Sequence, residues 1–485
     1  MQTTHHRQGE VAVDITRHTV AVPDAMRVPY EGADPAVHAA FPDGFVPSFG
    51  SGLALRDADA HGYTLYALSD RGPNGDGPMV PSPVPGADGV VDSKFFPAPS
   101  YAPAVALLQI DGDGARIVDR TALQTEAGAP ANGLPLPPRA RGWSAEVPLL
   151  EELTYRGGSA ARFDWRGLDP EALAYDRKRG VWWVADEYGP YLLKVDCASG
   201  VILARFAPGA GLPPLFEKRR VNRGLEGMCY DEGTDRVHLF LQSPLSDGKA
   251  EHRGKRRSVE NYAPFTRWAR FDPVRAETDA MYAYPLHSGQ YEDGKTGKAK
   301  LGDMAALGDG RFVVIEQGTG ADGKPFNHLM LADIREATDI GTAPFNPHSA
   351  DLERSAMAGA PVDGADWSAV RPIAKTLLLD LNAAGWTLDK AEGIALLAPD
   401  TVALSSDNDF GLRTALFDRE GREIGGDVTA CGVDADGKLQ GKQDWCKPQN
   451  SARIVPLAPE AAQAALWVLR FAQPLLSYEI PVAEI

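Results

Sequence analysis

The sequence predicts an all-β protein: a β-propeller of four-stranded antiparallel blades, five or six in number, with long inserted loops. Three observations predict it. A hairpin-like pattern recurs five times along the chain. A second pair of strand-like runs follows most copies, so each unit holds about four strands. Long amphipathic helical patterns are scarce, and 50 Gly and 38 Pro among 485 residues suit a chain of many turns.

The first unit, 51–123, opens on "SGLALRDADAHGYTLYALSDRG" and continues in "PAVALLQIDGDGARIVDRTAL". The second, 168–207, opens on "PEALAYDRKRGVWWVADEYG", two apolar runs around the turn "RKRG", followed by "YLLKVDCASGVILARFA". The third, 224–285, has "LEGMCYDEGTDRVHLFLQSP", then "TRWARFD" and "AMYAYPL". The fourth, 301–381, has "LGDMAALGDGRFVVIEQG", then "HLMLADI" and a distant "AKTLLLDL". The fifth, 391–426, has "AEGIALLAPDTVALSSDND", then "TALFDREGREIGG". One unit cannot bury both faces alone, whereas a ring can. The whole chain, 1–485, therefore reads as one propeller domain, with "EVAVDI" and "LLSYEIPV" at the termini closing the ring or forming a sixth blade. Uneven spacing puts the excess length into loops at 73–100, 124–165 and 341–370. Long loops on a rigid scaffold are where binding function sits.

Acids mark the repeat. The start of a hairpin's first strand and the end of its second lie side by side. Glu171, Glu226, Asp303 and Glu392 open the first strands, with Ser51 in that place in the first unit. Asp70, Asp186, Glu187, Gln242, Glu316, Asp407 and Asp409 lie at or near the ends of the second. If the opening strands line a central channel, these groups meet at one mouth. Two like charges 4 Å apart repel by ~4 kcal/mol at an effective dielectric of about 20. Protonation, basic neighbours or a bound cation must compensate. Carboxylate and amide oxygens are hard ligands, so Ca²⁺ is the expected ion. Glu171, Glu226, Asp303, Glu392, Asp70, Asp186 and Asp407 are the candidate ligands. Arg71 and Arg223 are candidates to hold an anionic group, and Glu187 is the candidate general base.

Composition narrows the partners. A formal charge of −17, from 66 Asp and Glu against 49 Lys and Arg, disfavours nucleic acid and anionic membranes. It suits a small anionic substrate held through a cation. No stretch approaches the ~20 apolar residues of a membrane span. "MQTTHHRQGEVAVDITRHTV" has no hydrophobic signal core, so either a cytoplasmic protein or a mature exported form is expected. A bridge between Cys431 and Cys446 would favour export. The sequence leaves the oligomeric state open. There is no G-x-S-x-G elbow and no P-loop.

"SDRGPNG", "DPEALAYD" with "WWVADEYGPYL", "NRGLEGM", "AEGIALL" and "SSDNDFG" together resemble the phytase-like family described as having esterase-like activity. The resemblance runs in order from about residue 45 to 425. It implies a bacterial, often exported propeller, akin to calcium-dependent β-propeller phytases, that hydrolyses an ester or phosphoester. The chain departs at "DMAAL", where the family often has an acid followed by Gly. The leading expectation is a calcium-dependent hydrolase of phosphoesters or related esters. The alternatives are a propeller lactonase using one metal, and a non-catalytic binding propeller with structural calcium.

Overall fold

A computed structural model of the chain describes residues 2–150, 162–345, 347–459 and 461–481. Part of the expected 124–165 loop, and single positions in other loops, thus lie outside the described residues. Strands dominate, and the expected antiparallel units are present. The first sheet runs Gly52–Ala58, Gly62–Leu68, Ala104–Asp111, Gly114–Ala122 from inside to outside. The second runs Pro170–Asp176, Val181–Asp186, Tyr191–Asp196, Ile202–Pro208. The third runs Leu225–Asp231, Arg236–Leu241, Phe265–Asp272, Glu277–Pro285. The fourth runs Ala299–Gly308, Arg311–Thr319, Pro325–Asp333, Ala374–Asp380.

The fifth sheet differs from the sequence expectation. Its inner strands, Ile394–Ala398 and Thr401–Ser405, are where the repeat puts them. Its outer strands are Ala465–Phe471 and Val11–Ala21, paired from Val13↔Phe471 to Thr19↔Ala465. The two ends of the chain thus complete one blade. The run at 414–426 instead joins a small sheet of Leu412–Phe417, Glu423–Ile424 and Ser451–Pro456. Both arrangements satisfy the local hairpin pattern; ring closure selects the partner.

The inner strands touch their neighbours in sequence, and the last touches the first. Five apolar clusters fill the gaps between adjacent sheets. Strand alternation explains why the runs are so apolar. In Val181–Asp186, Val181, Trp183 and Ala185 face the third sheet, while Trp182 and Val184 face the first. The architecture is a β-propeller.

A sixth cluster belongs to a satellite module beside the channel mouth. It combines the 73–100 insertion with residues 410–457. Met79 N–H donates to Cys431 O at 2.7 Å, and Cys431 is bridged to Cys446. No helix of the described residues is long and apolar enough to cross a membrane.

Candidate active site at the channel mouth

A cavity of about 320 Å³ opens where the inner strands begin. All five sheets and their loops line it. Glu171, Glu226 and Glu392 come from the opening positions. Asp70, Glu187, Gln242, Gln317 and Asp407 come from the closing ones. Backbone irregularity places two of the openers. The ladder skips between Pro170 and Ala172 and again between Leu225 and Gly227, leaving Glu171 and Glu226 unpaired at β-bulges. A bulge re-aims its extra side chain, and these line the mouth.

The same bulge explains a correction at Asp303. "LEGM" in the third unit aligns with "LGDM" in the fourth, so Gly302, not Asp303, occupies the place of Glu226. Asp303 falls where the third unit has Gly227. A Cβ there would lie 2.6 Å from the carbonyl oxygen of Gly302, so the backbones pack too closely for a side chain. Asp303 is buried and does not line the cavity. Its Oδ1 accepts the N–H groups of Met228 and Met304 at 2.8 and 2.9 Å.

Asp186 is likewise outside the cavity. As the last residue of its strand it pairs with Pro170. Its Oδ1 accepts the Asp169 N–H at 2.6 Å, so it holds the turn before Glu171 rather than facing the mouth. Glu316 is buried away from the cavity with Lys375, Tyr284 and Tyr291.

Sequence reasoning missed Asp169 and Glu146. Oxygens of Asp169, Glu171 and Glu187 lie within 4.8 Å of one another. Arg71 Nη1 lies 2.9 Å from Glu146 Oε2 and 3.2 Å from Asp169 Oδ2, and Asn222 Nδ2 donates to Glu146 Oε1 at 2.7 Å. Glu146 sits 75 residues from Arg71 with no repeat to flag it. Asp169 stood within the quoted "DPEALAYD", two residues before an acid already chosen. Arg71 lines the cavity, yet its charge is matched from below.

The cations at the mouth are not equivalent. Lys390 lies 3.0 Å from Glu392 Oε1. Arg223 Nη1 donates to Ser243 Oγ at 2.8 Å and Ala299 O at 2.9 Å, both neutral, and no carboxylate pairs with it among the described residues. Burial, with Arg220 nearby, holds the Arg223 guanidinium down at about 10. Among the described residues, eight carboxylates and five cations line the cavity, which leaves an excess of negative charge.

That excess shows in the carboxyl groups. Burial first, then Asp169, Glu226, Glu187 and Glu392, push Glu171 well above the carboxylate range. Burial with Glu187 and Glu392 does the same to Glu226. Burial and Asp169 raise Glu187 to about 7; burial, Asp409 and Glu392 raise Asp407 to about 7. Several buried oxygens have no hydrogen-bond partner among the described residues: Glu226 Oε2, Glu392 Oε2 and Gln242 Oε1. Buried oxygens without donors, in a net negative cavity, fit a hard divalent cation.

The fold and the cavity define a β-propeller with a mixed-charge carboxylate site at one mouth of its channel. The chain belongs to the phytase-like family described as "esterase-like activity of phytase", whose model matches residues 49–410. No curated protein matches the chain. Among solved structures, it is similar to the α-L-arabinofuranosidase PaAbf62A from Podospora anserina. That match has 9% identity over 95% of this chain and 98% of that one, with a TM-score of 0.33. The PQQ domain of pyranose dehydrogenase from Coprinopsis cinerea is 10% identical over 81% and 98%, with a TM-score of 0.30. The periplasmic gluconolactonase PpgL from Pseudomonas aeruginosa is 11% identical over 92% and 99%, with a TM-score of 0.27. Likenesses this distant carry no argument about chemistry.

Proposed function

We propose that the chain is a calcium-dependent hydrolase of anionic esters, phosphoesters foremost, acting at this mouth. The observation that supports it best is Arg223, a guanidinium at the cavity that among the described residues is held by neutral acceptors, beside a carboxylate cluster. Such a cation is open to a substrate anion.

Glu171, Glu226 and Glu392 hold the cation, with Asp169 and Gln242 adding oxygens and Asp70 and Asp407 completing the ring. Calcium, when bound, supplies the positive charge that neutralises the ring and the ester. Arg223 binds the anionic group. Glu187, raised to about 7, takes a proton from water near neutral pH. Arg71 acts through others: pinned to Glu146, it orients Asp169 behind Glu171. The Cys431–Cys446 bridge supports an exported protein.

The test is hydrolysis of p-nitrophenyl phosphate, p-nitrophenyl acetate and gluconolactone, each with calcium and with chelator. Calcium-dependent turnover favouring the phosphate is expected. Preference for the lactone would replace this reading with a lactonase. No turnover of any of the three would point to a binding module.

A further inference from the structure

The mouth does not end at the acid ring. A second cavity of about 250 Å³ adjoins it, and Asn74, Asp76, Lys94 and Asp409 line both. Its far wall is the satellite module, including Thr414 and Asp427.

The polar groups here divide by charge. Both cations are already matched: Lys94 lies 2.8 Å from Asp76 Oδ1, and Arg413 lies 2.7 Å from Glu423 Oε1. The groups left over are acceptors. Asn74 is 8% exposed; its Nδ2 donates to Gly72 O, while its Oδ1 has no partner among the described residues. The Asp409 carboxylate accepts no hydrogen bond among the described residues and feels the Lys390 charge only across the mouth. Asp427 uses Oδ1 to accept from Thr429 and leaves its other oxygen over. Acceptors without spare cations select hydrogen-bond donors that carry no negative charge. Hydroxyl groups meet that description. A phosphate here would face the carboxylates of Asp409 and Asp427.

We propose that the two cavities together take an ester whose alcohol part is a neutral polyol, and that they reject polyols carrying further phosphates. The inference rests on the hydrolase reading. The reacting ester lies in the mouth, and the polyol reaches the second cavity past Asn74 and Asp409. In the reaction, water adds its oxygen to the acid part. The bond to the polyol oxygen breaks, and the polyol leaves as an alcohol with a proton that originated in the water.

The experiment compares glucose 1-phosphate, p-nitrophenyl phosphate and inositol hexakisphosphate with the full chain in calcium, and titrates glucose alone by calorimetry. Two variants are used, Asp427→Asn and Thr414→Phe, each checked for folding by its melt. The ratio of kcat/KM for glucose 1-phosphate over p-nitrophenyl phosphate should fall about tenfold in each, mainly through KM, as expected for lost binding contacts. Glucose binding should weaken in parallel. An unchanged ratio in both variants overturns the proposal, as does inositol hexakisphosphate being the better substrate than glucose 1-phosphate. If no ester is turned over, the hydrolase reading fails by itself. Glucose binding that the variants weaken then still upholds the polyol site, and absence of glucose binding overturns it.

Discussion

The carboxylate of Asp303 accepts the backbone N–H of Met228 at 2.8 Å, tying the fourth blade to the third within the channel. Because Asp303 also accepts from Met304, Asp303→Ala leaves two buried amides without acceptors. Each costs about 1–3 kcal/mol, so denaturant unfolding should show a loss of about 2–6 kcal/mol. Calcium affinity should stay where it is. A variant that folds as stably as the parent but loses calcium would restore Asp303 as a ligand.

Glu226 and Glu187 separate ligand from base. Glu226→Gln should weaken calcium binding about tenfold, equivalent to about 1.4 kcal/mol. Glu187→Gln should lower turnover roughly 10²–10⁴-fold and keep most of the calcium affinity. Calcium titration and p-nitrophenyl phosphate hydrolysis on both variants give the answer. Equal loss of calcium in the two would make Glu187 a ligand and leave the base unassigned.

Arg223→Met removes a guanidinium that no carboxylate pairs with among the described residues. A charged hydrogen bond to substrate is worth enough that KM for a phosphoester should rise about 10- to 100-fold. Arg223→Lys should recover part of this, since it restores charge without the planar fork. An unaltered KM in Arg223→Met would remove the arginine from the site.

The metal-free protein should become less stable as pH rises from about 4 to about 7. Burial raises Asp186 and, together with Asp169, raises Glu187; both stand at about 7 in the folded chain. Over that window the unfolded chain has lost these protons while the folded chain retains them. Their contribution is therefore complete below the unfolded value, declines through the folded value and is flat above it. Calcium should flatten the slope, because it stabilises the ionised ring. Melting curves in chelator and in calcium at stepped pH check this; a metal-free Tm that climbs between pH 4 and 7 contradicts it.

The Cys431–Cys446 bridge closes a sequence separation of 15 residues. Replacing both with Ser should cost about 3 kcal/mol on the loop-entropy model. The loss should fall on the satellite module, while the blades keep their protection. Hydrogen exchange by segment would show it; uniform loss across the inner strands would mean that the module and the ring unfold as one.

Much of the site was legible because a repeat and a period of two are local signals. Glu171, Glu226 and Glu392 share one place in the repeat, and hairpin geometry sets Asp70, Glu187 and Asp407 beside them. The readings that changed needed more than local pattern. Asp186 and Glu187 are neighbours in sequence, yet one is the last paired residue of a strand and the other lies past it. Asp303 is displaced from the acid position by a single glycine.

By itself the sequence determined the first four blades and the inner pair of the fifth, because alternation of apolar residues sets which strand faces are buried whatever else the chain does. It also determined that acids would collect at one end of the hairpins. Only the tertiary structure decided which strands close the ring, that Glu146 matches Arg71, and that Arg223 pairs with no carboxylate among the described residues. It also decided that the satellite module extends the mouth into a second cavity. These are contacts between residues tens to hundreds of positions apart. Whether a buried charge is matched depends on what the fold brings within about 4 Å, a distance that no spacing along the chain encodes.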